Sequence, residues 1–92
     1  MQKTEKIFID ASAFTDVSAA HAAMRDAVGS KDYIGSNLDA LHDVLCSIGR
    51  RTRITVTNYR AAEMNLGEYA EKLAFVLAVS ASENPCLTVV FE

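Results

Sequence analysis

The stretch Asp39-Ala-Leu-His42-Asp43-Val-Leu-Cys46 brings two carboxylates, an imidazole and a thiol into eight residues. If it is helical, Asp39, His42 and Asp43 share one face at spacings of three and four. Asp39 and Asp43 are then like charges one turn apart, which costs an isolated helix roughly 0.2–0.5 kcal/mol. Asp39, in the first turn, is partly offset by the helix dipole, whereas Asp43 lies too far along for much benefit. Such a face can recognise a cationic partner through charge-assisted hydrogen bonds. A solvated face with a capping carboxylate also accounts for the spacing. His42 and Cys46, at i and i+4, offer half a metal site or a thiolate–imidazole pair. No third Cys or His lies near in sequence, so neither catalysis, nor a metal, nor a cofactor is expected. Arg50, Arg51 and Arg53 are candidates for phosphate contact. The absence of Trp and of interleaved aromatics reads them instead as a solvated loop.

The elements that must position these groups follow from periodicity. Lys6–Asp10, KIFID, is a short apolar run that suits a strand buried on both faces. After the polar stretch ASAFTDVS, Ser18 can cap a helix whose apolar positions Ala20, Ala23, Met24, Ala27 and Val28 recur at three and four until Gly29. His21 follows that stripe and reads as a structural residue. A second helix, Asn37 to Ile48, carries Leu38, Leu41, Val44, Leu45 and Ile48 on one face, and Gly49 stops it. Ile54 and Val56 mark a second strand in Arg53–Thr57, expected to be less buried than the first. Asn58 caps a short helix over Tyr59–Met64, and Gly67 interrupts it. The helix from Glu68 to about Ser82 presents Tyr69, Ala70, Leu73, Ala74, Val76 and Leu77, with Phe75 and Val79 partly off that face. Pro85 closes it before the apolar strand Cys86–Phe91. Tyr33 and Tyr59 are isolated aromatics, and Tyr69 packs on the core. The order β-α-α-β-α-α-β, without two-residue hairpins, calls for an α/β fold with a small parallel sheet covered by helices.

Composition limits the partners. Ninety-two residues, half hydrophobic and 23% charged, suffice for one domain over residues 1–92 with one core. Nine Lys+Arg against twelve Asp+Glu give a formal charge of −3, which disfavours a nucleic-acid or anionic-membrane binder and favours a cationic partner. The longest apolar segment, Leu73–Val79, is far short of the ~20 residues that span a bilayer. The N-terminus lacks the pattern of a secretory signal, which places the chain in the cytoplasm. Cys46 and Cys86 lie 40 residues apart without metal-ligand spacing and read as two buried or partly buried thiols.

The run YIGSNLDALHDVL, Tyr33 to Leu45, resembles the signature of the barstar family, intracellular inhibitors of barnase-type ribonucleases. Tyr33, Gly35, Asn37, Leu38, Asp39, Ala40, Leu41, Asp43 and Leu45 carry the pattern, and Ser18, His21, Met24 and Val28 suit the family's first helix. After Gly49 only the order of elements and the apolar last strand agree. The resemblance implies a three-stranded parallel sheet with about four helices. It also implies a non-enzymatic inhibitor, or immunity protein, that is a monomer when free and plugs the active site of a guanyl-type ribonuclease. The partner would be a barnase-like extracellular ribonuclease or toxin domain, met by Tyr33, Asn37, Asp39, His42 and Asp43, with Asp43 as the phosphate mimic. An acidic patch facing a basic nucleic-acid cleft speeds association; barnase and barstar are the reference case for such steering. An interaction module of the same fold with a non-ribonuclease partner is the alternative.

Three features depart from the family pattern. His42 stands where tryptophan is common, offering less area and a titratable ring. A glutamate of the last helix corresponds to Val79, and Glu83, one turn later, is its candidate substitute. The loop GRRTR sets three arginines beside the acidic helix, where they would neutralise part of its field.

Overall fold

Apolar runs separated by helical stretches become three strands and four α-helices in the computed structural model, which describes residues 3–29 and 37–92. The order is β1 (Glu5–Asp10), a 3-10 turn (Ala11–Ala13), α1 (Val17–Val28), α2 (Leu38–Cys46), β2 (Thr52–Thr57), α3 (Tyr59–Leu66), α4 (Glu68–Glu83) and β3 (Leu87–Phe91). The strands lie in the order β1-β2-β3 with both pairings parallel, the α/β architecture expected from the sequence.

Strand burial reverses the expectation. β2 is central: Ile54 and Val56 are fully buried, and Thr52 and Thr55 nearly so. β1 is an edge, with Ile9 buried and Phe8 71% exposed. The register explains the difference. Ile54 lies between Ile7 and Val89, and Val56 between Ile9 and Phe91, so these side chains share one face of the sheet. Lys6, Phe8, Arg53 and Thr88 point the other way and are exposed, while Thr55, on that same face, is shielded at its centre between Phe8 and Val90. The helices therefore cover one face, and an unbroken apolar run such as Ile7-Phe8-Ile9 has one member left outside.

Helix ends follow local hydrogen bonding. Asp16, not Ser18, caps α1, its carboxylate accepting from the Ala19 N–H at 2.7 Å. Gly29 stops the helix at φ 66°, where a residue without a Cβ bears little strain. Asn58 does not cap α3: its backbone is left-handed, and its side-chain amide donates to Asp10 Oδ1 at 3.0 Å. That bond, followed by those from Ser12, holds the Asp10 carboxyl below the usual carboxylate value. Phe14, in a stretch that reads as polar, is fully buried. Phe75 is 59% exposed, off the buried side of α4 as its spacing suggested.

Tyrosines close the gaps between layers. Tyr59 Oη donates to the Ala70 carbonyl at 2.5 Å while its ring meets Phe91 edge-on, and burial pushes its pKa up to about 12. Tyr69 does more than pack on the core, because its hydroxyl is hydrogen-bonded to His21 Nε2 at 2.5 Å.

Candidate functional site

α2 is amphipathic. Leu41 and Leu45 are fully buried, while Asn37, Asp39 and Asp43 are exposed on the opposite side. Asn37 is the N-cap, its Oδ1 accepting from the Asp39 N–H at 2.7 Å and the Ala40 N–H at 3.4 Å, so it fixes the turn that carries Asp39. Tyr33 and Gly35 lie outside the described residues. Of the five expected contact residues, the structure thus gathers Asn37, Asp39, His42 and Asp43 on one helix.

The helix ends at Cys46, two residues before the expected Ile48. Its last carbonyls do not face solvent alone. Asn84, the buried C-cap of α4, donates from Nδ2 to the carbonyls of Leu45 and Ile48 at 2.9 Å each, and its Oδ1 accepts from the Cys86 N–H at 3.0 Å. One carboxamide therefore ties α2, α4 and the approach to β3 together. The sequence carried a signal for it: the buried stripe Leu73-Leu77 continues at helical spacing into Ser80 and Asn84, polar residues where apolar ones would be expected.

α2 packs against α4, and the contact adds a residue to the acidic face. Glu83 Oε2 lies 2.7 Å from His42 Nε2, and Asp43 Oδ1 lies 3.9 Å from His42 Nδ1. The candidate substitute carboxylate thus reaches α2, whereas Val79 is half-buried. Cys46 Sγ lies 3.4 Å from the same imidazole nitrogen and 3.6 Å from Glu83 Oε2. Desolvation, then the Glu83 carboxylate, pushes the Cys46 thiol up. His42 and Cys46, half a metal site by sequence, have a third donor in space that sequence proximity could not reveal.

The arginine loop is divided between surfaces. Arg50 pairs with Glu5 at 2.6 Å, while Arg53 lies on the uncovered face of the sheet. Neither is paired with Asp39 or Asp43.

Three parallel strands, four helices and an acidic second helix are what the signature implies, and the similarity extends along nearly the whole chain. A family model described as Barstar (barnase inhibitor) matches residues 4–91. The chain belongs to the barstar family. Within reach of that match is a relative from Bacillus subtilis (strain 168), named "Putative ribonuclease inhibitor YrdF", 30% identical over 79 residues that cover 85% of this chain and 87% of the relative. Barstar-family membership thus extends past Gly49, where the sequence signature fades. Among the described residues no helix is long and apolar enough to cross a membrane.

Proposed function

We propose that this chain inhibits a microbial guanyl-type ribonuclease, or a toxin domain of that type, by seating α2 and the loop before it in the enzyme's active site. Barstar-family membership supports the class of partner. The observation that carries the mode of binding is the common exposed face of Asp39 and Asp43, extended by Glu83 from α4. A ribonuclease cleft must be basic to hold RNA phosphates, and carboxylates at its rim and floor take their place with charge-assisted hydrogen bonds. Asp43 is the phosphate mimic in this reading, Asp39 and Asn37 flank it, His42 packs at the centre, and Tyr33 contributes from the preceding loop. The protein acts in the cytoplasm as an immunity protein and turns over no substrate.

The test is RNA cleavage by candidate ribonucleases, including any encoded beside this chain, with and without one equivalent of the protein. Inhibition is expected, with no cleavage by the protein alone. Asp43→Ala should weaken the complex most, by about 2–5 kcal/mol, because it leaves a desolvated enzyme cation without its partner. Asp39→Ala and Tyr33→Phe should cost less, and all three should leave folding nearly intact. Unchanged cleavage across the panel would sink the inhibitor reading. If Asp43→Ala binds like the parent while substitution of the arginine loop abolishes binding, the face is wrong.

A further inference from the structure

His42 Nε2, Cys46 Sγ and a Glu83 carboxylate oxygen lie within 4.8 Å of one another where the last turns of α2 and α4 meet. The donors come from two packed helices, so their separation is set by the fold and not by one flexible loop. Tetrahedral zinc, with Zn–S about 2.3 Å and Zn–N and Zn–O about 2.0–2.1 Å, separates sulfur from nitrogen or oxygen by about 3.6 Å and nitrogen from oxygen by about 3.3 Å. Cys46 Sγ is already 3.4 Å from His42 Nε2 and 3.6 Å from Glu83 Oε2. The remaining edge, His42 to Glu83, is 2.7 Å and must open by about 0.6 Å. The Glu83 side chain, 53% exposed, has room to make that adjustment.

Two further groups suit a bound cation. Asp43 Oδ1 lies 3.9 Å from the other ring nitrogen of His42, beyond hydrogen-bond distance, so it adds negative charge beside the site without fixing the ring. Ser80 Oγ is fully buried without a hydrogen-bond partner of ordinary geometry among the described residues, and it lies beside Cys46, where a metal-bound sulfur would offer its hydroxyl an acceptor. A thiol beside a His–Glu hydrogen bond would explain the short edge, but it is a weaker acceptor for that hydroxyl than a metal-bound thiolate.

We propose that His42 Nε2, Cys46 Sγ and Glu83 Oε2 form a binding site for a zinc-class divalent cation, with a fourth position open to water. The mixed sulfur, nitrogen and oxygen donors favour zinc over magnesium or calcium. As the metal–sulfur bond forms the thiol proton passes to solvent, while neutral imidazole binds through its lone pair and the carboxylate through an oxygen already ionised. Binding a dication for one proton makes the face more positive by one charge. The consequence for the partner rests on the proposed inhibitory function: occupancy should slow association with a basic enzyme. The binding itself does not rest on it.

The experiment therefore uses the reduced full-length chain alone, titrated with cobalt(II) and then with zinc(II). One equivalent of cobalt should produce a thiolate-to-metal charge-transfer absorption and the visible bands of a tetrahedral site, and zinc should displace it. Cys46→Ser should abolish the charge-transfer absorption, His42→Gln and Glu83→Gln should each weaken binding at least tenfold, and Cys86→Ser should change nothing. His42 and Glu83 are at the surface, so their variants decide the question even if Cys46→Ser does not fold. Absence of a charge-transfer band, its loss in Cys86→Ser instead of Cys46→Ser, full affinity in both His42→Gln and Glu83→Gln, or one metal shared by two chains would each overturn the proposal. Failure of ribonuclease inhibition would leave these readings unaffected.

Discussion

His21 is 1% exposed and hydrogen-bonded to Tyr69, and burial lowers its pKa below the ordinary 6.5. The unfolded chain therefore takes up this proton at a higher pH than the folded one. His21's contribution to stability should be complete above about pH 6.5 and lost as the pH falls from there through its lower folded-state value. Urea unfolding at pH 7.5 and pH 5 should show the parent losing more stability than His21→Gln; equal losses would mean that other groups set the slope. The residue's place on an apolar stripe made its structural role legible, because i, i+3 spacing fixes which way a side chain points. Its bond to Tyr69 was not legible, since 48 positions separate the two. The same holds for Glu83 and His42, whose meeting depends on how α4 crosses α2. Asp39 and Asp43, by contrast, could be assigned to one face from spacing alone.

At the scale of elements, α2 is held at each end by an asparagine. Asn37 caps it locally, and Asn84 anchors its final carbonyls from another helix. Their losses should differ. Asn37→Ala removes an exposed cap and should cost about 1 kcal/mol. Asn84→Ala leaves buried carbonyls and the Cys86 N–H without their partner and should cost about 2–3 kcal/mol, read as a lower urea midpoint with an unchanged m value. Equal destabilisation by the two would show that the anchor contributes no more than an ordinary exposed cap. Element positions were readable because Gly29, Gly67 and Pro85 punctuate clear periodicity. Caps were less so: Asp16 and Ser18 are both good cap residues two positions apart, and only backbone geometry distinguishes them. Asn58 resembled a cap because its residue type suits both that role and the left-handed conformation it adopts.

Across the whole molecule, Asp39, Asp43 and Glu83 come together at α2 and the end of α4, while Lys6 and Arg53 lie on the uncovered face of the sheet. If the proposed face meets a basic cleft, salt should slow association by about tenfold or more while changing dissociation far less, since the Debye length is only ~10 Å at 0.1 M. Stopped-flow mixing with the inhibited enzyme measures both rates, and salt-independent association would indicate an apolar contact instead. The one-sided cover of the sheet explains why the apolar pattern alone misleads about strand burial. Apolar runs normally signal two covered faces, but β1 is an edge strand and its Phe8 faces outward. Threonines made β2 look peripheral, although Thr52 Oγ1 finds the Arg50 carbonyl and can be buried without an unmet bond.

Gly67 joins α3 directly to α4 with φ 60° and ψ −131°, and a Cβ built there meets nothing within 4 Å. Size is therefore not what excludes other residues; handedness is. Reflected through a mirror, these torsions become −60° and 131°, close to the extended polyproline conformation that ordinary L-residues adopt freely. The junction between the two helices thus holds a mirror-image backbone conformation, one that an achiral residue adopts without strain. D-alanine placed there by chemical synthesis would find its preferred torsion already built, and would narrow the freedom of the unfolded chain where L-alanine would strain the folded one.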